Sequence, residues 1–592
     1  MTISCVSKGV SIADSISIRI GGANGDGIDS AGQLIARLLG HSGLYVFAYR
    51  GYQSVIRGGN VWHQVRASQE KLYSYGDTID VLIALTKDSL ESNLHLVSKN
   101  GVVIYDSKVP GIDDAAKNRQ DLQLVSMPLT DMAVKSGGSF IYRNSVAIGF
   151  VCKLIGVGED AVDKAVANTF KYKPDEVKPN LDAVNLGYGF ESKAALGKRL
   201  EIGNAPKVRY FMSGNEALAL GAYSAGCKFY AAYPMTPASS ILEWFAKHEN
   251  LGVLFKQTED EIAAINMTIG AASAGVRAMC GTSGGGFSLM VEALGLAGMI
   301  EAPIVVVESQ RGGPSTGLPT KTEQGDLLFV MHASQGEFPR IVVAPRNVEE
   351  CFYVGAEAFN LAERYQCPVV VLMDLFLSEH IESIEVDPGR ISVDRGLVAT
   401  DAPKDDRFKR YALTENGISP RSIPGTKGNA FVAASDEHDE YGNLISDVLV
   451  GLEEYVELRK KMHDKRMRKM DTMLKDGAIE MPLVVNEKAD IFIVTFGSTT
   501  ESATEALQLL NERGINAGLI AFSYMLPMDS DKVKALLVGK HLVDVECNAT
   551  AQLAKVISMN TGIDIAERVL KYDGEAITAG EITEGIVNYA KR

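Results

Sequence analysis

KFYAAYPMTPASS (228–240) reads as a short apolar strand that gives way, across two prolines, to the start of a helix. Pro234 and Pro237 each fix φ and disfavour helix in the residue before them, so the crossing is a shaped elbow that presents Thr236. The pattern recurs in VLFKQ (253–257), VRAMCG (276–281), PIVVVES (303–309) and PVVVLMD (368–374), near-continuous apolar runs of the kind buried on both faces of a parallel sheet. In such sheets ligands bind beyond the carboxyl ends of the strands. YPMTP, QTEDE (257–261), GTSGGG (281–286) and ESQRGG (308–313) all fall there, which predicts that these unusual loops meet on one edge of an α/β domain spanning 201–385.

Working outward, residues 1–200 alternate SISIRI (15–20), LYVFAY (44–49), VLIAL (81–85) and VVIYD (102–106) with amphipathic stretches. They predict another α/β domain with a mostly parallel sheet, ended by the polar linker RLEIGNAPKVR (199–209). Residues 386–485 break the rhythm with an irregular insert and then VELRKKMHDKRMRKM (456–470), whose charge predicts a solvated helix joining two units. Strand and helix patterns resume in 486–592 with DIFIVTFGSTT (490–500), INAGLIAF (515–522) and HLVDVECN (541–548). The expected fold class is therefore α/β, with several doubly wound domains, as a chain of 592 residues is too long for one core.

Composition narrows the function. With 46% apolar and 22% charged residues the chain has the makings of an ordinary folded protein, and a net charge of −15 gives its field the wrong sign for nucleic acid or anionic lipid. No apolar run reaches the roughly 18–20 residues of a membrane span, and MTISCVSKGV lacks the charged and apolar regions of a signal peptide, so a cytoplasmic protein without membrane contact is expected. The seven cysteines (Cys5, Cys152, Cys227, Cys280, Cys351, Cys367, Cys547) form no C-x-x-C pair. Neither a disulfide framework nor a cysteine-held cluster or zinc is expected, and no metal is assigned to this chain. If it serves a redox reaction, another chain carries the electron wires.

Each loop admits a structural and a functional reading. GGANGDGID (21–29) follows a strand and opens a helix, the setting in which glycines hold phosphate, although Ser30 stands where a third glycine belongs and a tight turn accounts for it equally. Asn60 is the only candidate for a thiamine-type magnesium loop beginning at GDG, and its place before a strand rules that out. Arg57, in RGG (57–59), is a candidate phosphate grip or a simple turn. In QTEDEIAAINMTIGAASAG (257–275) the apolar face repeats at Ile262, Ile265, Ile269 and Ala272, and Thr258 with Glu261 has the spacing of a capping box. Glu261 also precedes the small residues Ala263, Ala264, Gly270 and Ala271, beside which a carboxylate could exchange a proton with a flat heterocycle. Arg311 suits a substrate carboxylate, or pairs with Glu308 or Asp326.

Taken together, YPMTPASS, QTEDEIAA, GTSGGGFSLM and QRGGPSTGLPT resemble, in order and spacing, the thiamine-fold α-subunit of the 2-oxoacid:ferredoxin oxidoreductases, and GGANGDG with the later RGG resembles that family's γ-subunit. The resemblance covers nearly the whole chain, is least clear over 386–485 apart from SDEHDEYGN (435–443), and is strongest to the fused γ–α chains of 2-oxoglutarate enzymes. It implies a γ-type domain covering coenzyme A, a thiamine pyrimidine-type domain and a transketolase C-terminal-like domain. It also implies a β-subunit partner that holds thiamine diphosphate, Mg and a [4Fe–4S] cluster, with ferredoxin as electron acceptor and a dimer of heterodimers as the assembly. Residue by residue, Glu261 would bond the aminopyrimidine of thiamine, Glu259 being its nearest competitor; Thr236 and Arg311 would hold the 2-oxoacid; and Gly22, Gly25 and Arg57 would meet the phosphates of coenzyme A. The implied reaction is oxidative decarboxylation of a 2-oxoacid, 2-oxoglutarate before pyruvate, to acyl-CoA and CO2, with carboxylation as its reverse.

Two rivals stand beside it. A nicotinamide-dependent dehydrogenase would use residues 15–106 as a dinucleotide fold, but the acid expected about twenty residues past the glycine loop is missing from YVFAYRGYQ (45–53). A non-catalytic scaffold for an electron-transfer partner would have no need of a carboxylate at Glu261.

Overall fold

The computed structural model describes residues 15–53, 58–111, 116, 118–171, 173–198, 200, 209–401 and 407–590. Its strands form three sheets. The first runs β6 (Gln123–Met127), β5 (Val97–Asp106), β4 (Ile79–Ala84), β1 (Ser15–Asn24), β3 (Gly58–Ser68), β2 (Tyr45–Gly51), β14 (Ile381–Ile384), β7 (Tyr210–Ser213). Only its β6-β5-β4-β1 half is parallel; β1 pairs antiparallel with β3, β3 with β2, β2 with β14 and β14 with β7. The expectation of a mostly parallel sheet fails because β3 was illegible. Its GGNVWHQVRAS carries His63, Gln64 and Arg66, polar residues that are nonetheless buried, where Arg19 donates to Gln64 Oε1 (2.7 Å) and Arg66 to Glu505 Oε1 (2.7 Å). With β3 inserted antiparallel between β1 and β2, this unit does not have the strand order of a dinucleotide fold.

The second sheet runs β18 (Tyr524–Leu526), β12 (Ile341–Val343), β13 (Val369–Asp374), β11 (Val305–Gln310), β10 (Ala278–Thr282), β8 (Phe229–Ala232), β9 (Leu254–Gln257), parallel except for β18. Every residue of β10, β11 and β13 is buried, as near-continuous apolar runs require. The third sheet runs β15 (Leu483–Val485), β17 (Ala517–Phe522), β16 (Ile491–Phe496), β19 (Leu542–Glu546), β20 (Glu567–Leu570), with β15 antiparallel to β17. The units are interlocked. β7 and β14 belong by sequence to the second unit and complete the first sheet, β18 crosses from the third unit into the second sheet, and Phe492, Phe496 and Ile520 share a core with Ile265 and Phe287.

The helix Leu452–Lys475 corrects another expectation. Lys465 and Lys469 have fully buried side chains because buried Glu301 supplies their counter-charge, Oε1 lying 2.5 Å from Lys465 Nζ and Oε2 2.6 Å from Lys469 Nζ. Arg466 forks onto both oxygens of Glu437 at 2.8 Å. What reads as a solvated helix is fastened along one face by ion pairs. The six cysteines among the described residues are buried and unpaired.

Candidate active site

The loops do converge at the carboxyl ends of β8, β9, β10 and β11. Thr236 lies in the elbow after β8, where its bond to Pro237 is cis and its carbonyl oxygen accepts a hydrogen bond from Arg311 Nη1 at 2.8 Å. Arg311 directly follows β11, and among the described residues it makes no ion pair with Glu308 or Asp326. One donor on a carbonyl leaves the rest of the guanidinium fork open to an anion. Burial holds the Arg311 guanidinium below its ordinary value, with Tyr52 acting in the opposite sense. The Thr236 hydroxyl has no protein partner among the described residues.

Glu261 begins the helix Glu261–Ser273, but it is not part of the expected capping box. Asp260 is the N-cap, accepting from the Ala263 N–H at 2.8 Å, while the Thr258 hydroxyl donates to the Asp260 carbonyl at 2.8 Å. Capping falls to the neighbouring acid and frees Glu261, whose side chain is buried with Oε1 3.4 Å from Thr282 Oγ1. Thr282, the last residue of β10, also lies 3.8 Å from Met235 Sδ, so Glu261, Thr282, Met235, Thr236 and Arg311 form one continuous patch. Ile262, read as part of the apolar face, is 48% exposed. The buried face is set instead by Ala264, Ile265, Thr268, Ile269 and Ala272, because the helix begins at Glu261 and its first turn rotates Ile262 outward.

The glycines of GTSGGG make room for this carboxylate. A Cβ at Gly286 would stand 2.0 Å from Thr282 Oγ1 and 2.4 Å from Glu261 Oε1; one at Gly284 would stand 2.4 Å from Asp326 Oδ2. Asp326, half-buried, is pushed up to about 6 by desolvation, and full burial with Asp326 and Asp374 as neighbours holds Glu308 well above the usual carboxylate range. Among the described residues Glu308 finds no hydrogen-bond partner for either oxygen.

From the first sheet come residues that pattern reading missed. Tyr52, one residue past β2, donates to Glu379 Oε1 at 2.8 Å, and Arg50 bridges Asp29 (3.2 Å) and Glu379 (3.5 Å). Tyr52 and Arg50 thus join the end of β2 to Glu379 of the second unit. The signal was present in YVFAYRGYQ, a strand ending in Arg and Tyr. In GGANGDGID, Gly22 is buried and hemmed in: a Cβ there would lie 2.9 Å from Asp26 Oδ2 and from Ile28 Cδ1, so its place is taken by the chain itself. Asp26 closes the turn by accepting from the Ala23 N–H (2.9 Å) and pairing with Arg143 (2.7 Å). Gly25, at φ 100°, borders open space. Arg57 lies outside the described residues.

A family model described as the thiamine diphosphate-binding domain of pyruvate flavodoxin/ferredoxin oxidoreductase matches residues 220–457. A pyruvate ferredoxin/flavodoxin oxidoreductase model matches 17–190 and a transketolase C-terminal domain model 482–555. The 2-oxoacid:ferredoxin oxidoreductase subunit alpha of Saccharolobus solfataricus is 30% identical, covering 96% of this chain and 97% of its own length. The 2-oxoglutarate synthase subunit KorA of Methanothermobacter thermautotrophicus is 35% identical over 64% of this chain and 98% of its own. Among solved structures, a 2-oxoglutarate:ferredoxin oxidoreductase from Magnetococcus marinus, with 2-oxoglutarate, coenzyme A and succinyl-CoA bound, superposes with a TM-score of 0.88 at 32% identity, covering 98% of this chain and 100% of that one. No described helix is long and apolar enough to cross a membrane. With relatives of this similarity spanning nearly its full length, and with their thiamine-binding fold around the Glu261–Arg311 patch, the chain belongs to the 2-oxoacid:ferredoxin oxidoreductases, as an alpha subunit.

Proposed function

We propose that the chain works with a β-subunit to convert 2-oxoglutarate and coenzyme A to succinyl-CoA and CO2, releasing two electrons to ferredoxin, and that the reverse carboxylation is open to it. The observation that carries this is the Glu261–Thr282–Met235–Thr236–Arg311 patch, a buried carboxylate and an unpaired hydroxyl brought beside a partly free guanidinium. The residues fit a thiamine ring. Gly286 has no Cβ to crowd the carboxylate, and the only protein hydrogen bond to Glu261 Oε1 among the described residues is the long one from Thr282.

Bound thiamine diphosphate, held mainly by the β-subunit with its Mg and [4Fe–4S] cluster, supplies the nucleophilic carbon and the electron sink for decarboxylation. Glu261 would share a proton with a ring nitrogen of the aminopyrimidine, a contact that acidifies the exocyclic amine and favours its imino form, the base. Arg311 forks onto the substrate carboxylate with the donors left after Thr236 takes one. The Thr236 hydroxyl donates to the 2-oxo oxygen, and its proline-bounded elbow fixes that donor before substrate arrives, lowering the ordering cost in the reactive complex. Tyr52 and Arg50 join the first sheet to the second unit. Coenzyme A is assigned to the first unit, with Gly25 as the open backbone turn, Gly22 shaping the same loop and Arg57 as a further phosphate contact. A cytoplasmic dimer of heterodimers completes the reading.

The preference for 2-oxoglutarate is supported by the Magnetococcus enzyme, whose structure holds that acid, and by the KorA relative. The test is viologen reduction by the co-purified pair with coenzyme A and each 2-oxoacid in turn. Turnover led by 2-oxoglutarate and lost in Glu261→Gln is expected; a preference for pyruvate overturns the substrate assignment, and full turnover in Glu261→Gln overturns the role of the carboxylate.

A further inference from the structure

Away from the catalytic loops, His380, Glu382 and Glu501 each offer a ligating atom within 4.8 Å of the others, and the residues are 0%, 2% and 2% exposed. They come from separate parts of the chain. His380 caps the helix Leu375–Glu379, Glu382 lies in β14 of the first sheet, and Glu501 sits in the first turn of the helix Thr499–Glu512, which packs on the third sheet.

The imidazole is held rigidly. It stacks on Phe47 with centroids 4.5 Å apart and planes 9° from parallel, and its Nδ1 lies 2.8 Å from the Phe376 carbonyl oxygen. A carbonyl only accepts, so Nδ1 carries the proton and Nε2 keeps its lone pair. Nε2 faces Glu501 Oε2 at 3.5 Å and has no hydrogen-bond partner. Glu382 Oε1 accepts from the Val348 N–H at 3.2 Å, while its Oε2 and both oxygens of Glu501 have none. Apart from the Val348 N–H on Glu382 Oε1, no hydrogen-bond donor among the described residues reaches these converging lone-pair-bearing atoms. The nearby cation is Lys71, whose Nζ is 3.5 Å from Glu349 at the more exposed side of the cluster.

We propose that His380, Glu382 and Glu501 bind a divalent transition-metal ion, zinc by the chemistry of the set. One imidazole nitrogen, a borderline ligand that suits zinc, joins two hard carboxylates whose charge neutralises a dication. The 3.5 Å between Nε2 and Oε2 is close to the edge of a zinc tetrahedron, about 3.4 Å for bonds of about 2.1 Å. Wider edges close by about 1 Å of carboxylate rotation, within the reach of a glutamate side chain. A histidine that donates Nδ1–H to a backbone carbonyl is oriented as metal-bound histidines are. The ion would tie β14 to the third unit. It would also fix Glu379, the residue beside His380, which receives the Tyr52 hydroxyl at the contact between the first and second units.

Zinc is measured by mass spectrometry in the desalted complex, where the partner's iron and magnesium are counted separately. About one zinc per chain is expected in the wild type and less than about a tenth in Glu501→Gln or His380→Gln. Should those variants not fold, Co2+ is titrated into chelator-treated wild-type complex, where tetrahedral visible absorption is expected at one equivalent. Absence of zinc with no Co2+ spectrum from folded protein overturns the proposal and leaves a shared proton in the cluster. Equal zinc in wild type and folded Glu501→Gln also overturns it.

Discussion

Gly286→Ala is the sharpest perturbation of the proposed mechanism, because it adds one methyl group against the carboxylate without removing any functional atom. The new Cβ would stand 2.4 Å from Glu261 Oε1 and 2.0 Å from Thr282 Oγ1. Ordinary contact begins at 3.4 Å, so the carboxylate must retreat by about 1.0 Å and the hydroxyl by about 1.4 Å. Thr282 is the end of a buried strand and short, whereas Glu261 carries its carboxylate on a longer side chain at a helix N-terminus, so the longer and freer of the two, the glutamate side chain, moves. A 1 Å misplacement of a reacting group costs about a hundredfold in rate, about 2.7 kcal/mol of barrier. The assay is kcat for 2-oxoglutarate-dependent viologen reduction by the paired subunits, with the denaturation profile taken beside it. Gly285→Ala is the control for helix propensity, since its Cβ would meet only the Ser315 carbonyl oxygen at 3.9 Å. A Gly286→Ala enzyme that keeps kcat within about threefold, while remaining folded, would refute the placement of Glu261 at the reacting heterocycle.

Arg311→Lys should raise KM for the 2-oxoacid about tenfold to a hundredfold with a smaller effect on kcat, because an ammonium cannot serve both the Thr236 carbonyl and a forked carboxylate; an unchanged KM in steady-state kinetics removes Arg311 from the substrate. Lys469→Met should lower stability by about 3–5 kcal/mol in chemical denaturation, since Nζ is shared between Glu301 Oε2 (2.6 Å) and the Gln366 carbonyl oxygen (2.8 Å) in a fully buried cluster; a loss below about 1 kcal/mol means the helix Leu452–Lys475 is held by packing alone. Asp326, half-buried and raised from 3.8 to about 6 by desolvation, binds a proton in the folded state that the unfolded chain has released, so stability should fall as pH rises through that window, by about 2–3 kcal/mol. Asp326→Asn should flatten that slope in denaturation curves between those pH values, and an unaltered slope assigns it elsewhere.

The buried strands of the second sheet were legible because burial on both faces leaves no alternative to a run of β-branched residues. β3 was not, since its polar residues are buried against one another and imitate a loop. The helix Leu452–Lys475 was misread for a related cause: Lys465 and Lys469 signal solvent until Glu301, more than 160 residues earlier, is found beneath them. Thr236, Glu261 and Arg311 could be picked out because each follows a strand end, and topology brings strand ends together. The capping residue could not be chosen between Thr258 and Asp260 on spacing alone, since both can accept from a helix N–H; the helix start decided it. Tyr52 and Arg50 escaped because what places them against Glu379 is the pairing of β2 with β14, an antiparallel contact across more than 300 residues.

That pairing also bears on why the two units are on one chain. The sheet of the first unit ends in β2, and β14 and β7 of the second unit continue it, with Ile381 opposite Ala48 on one side and Ser213 on the other. Register in a sheet is fixed to a single residue, since a shift of one turns every side chain to the opposite face. Tyr52, one residue beyond β2, is therefore positioned relative to Glu379, two residues before β14, by backbone pairing and not by the packing of two separate surfaces. Glu379 takes the Tyr52 hydroxyl at 2.8 Å, so this contact between the two units inherits that register. Had β14 remained with the second sheet, the first unit would meet the site through an interface free to shift by the fractions of an ångström that separate catalytic from idle geometry. A shared sheet removes that freedom. Fusion then holds β2 and β14 at a concentration set by the chain, so each site closes with its own cover.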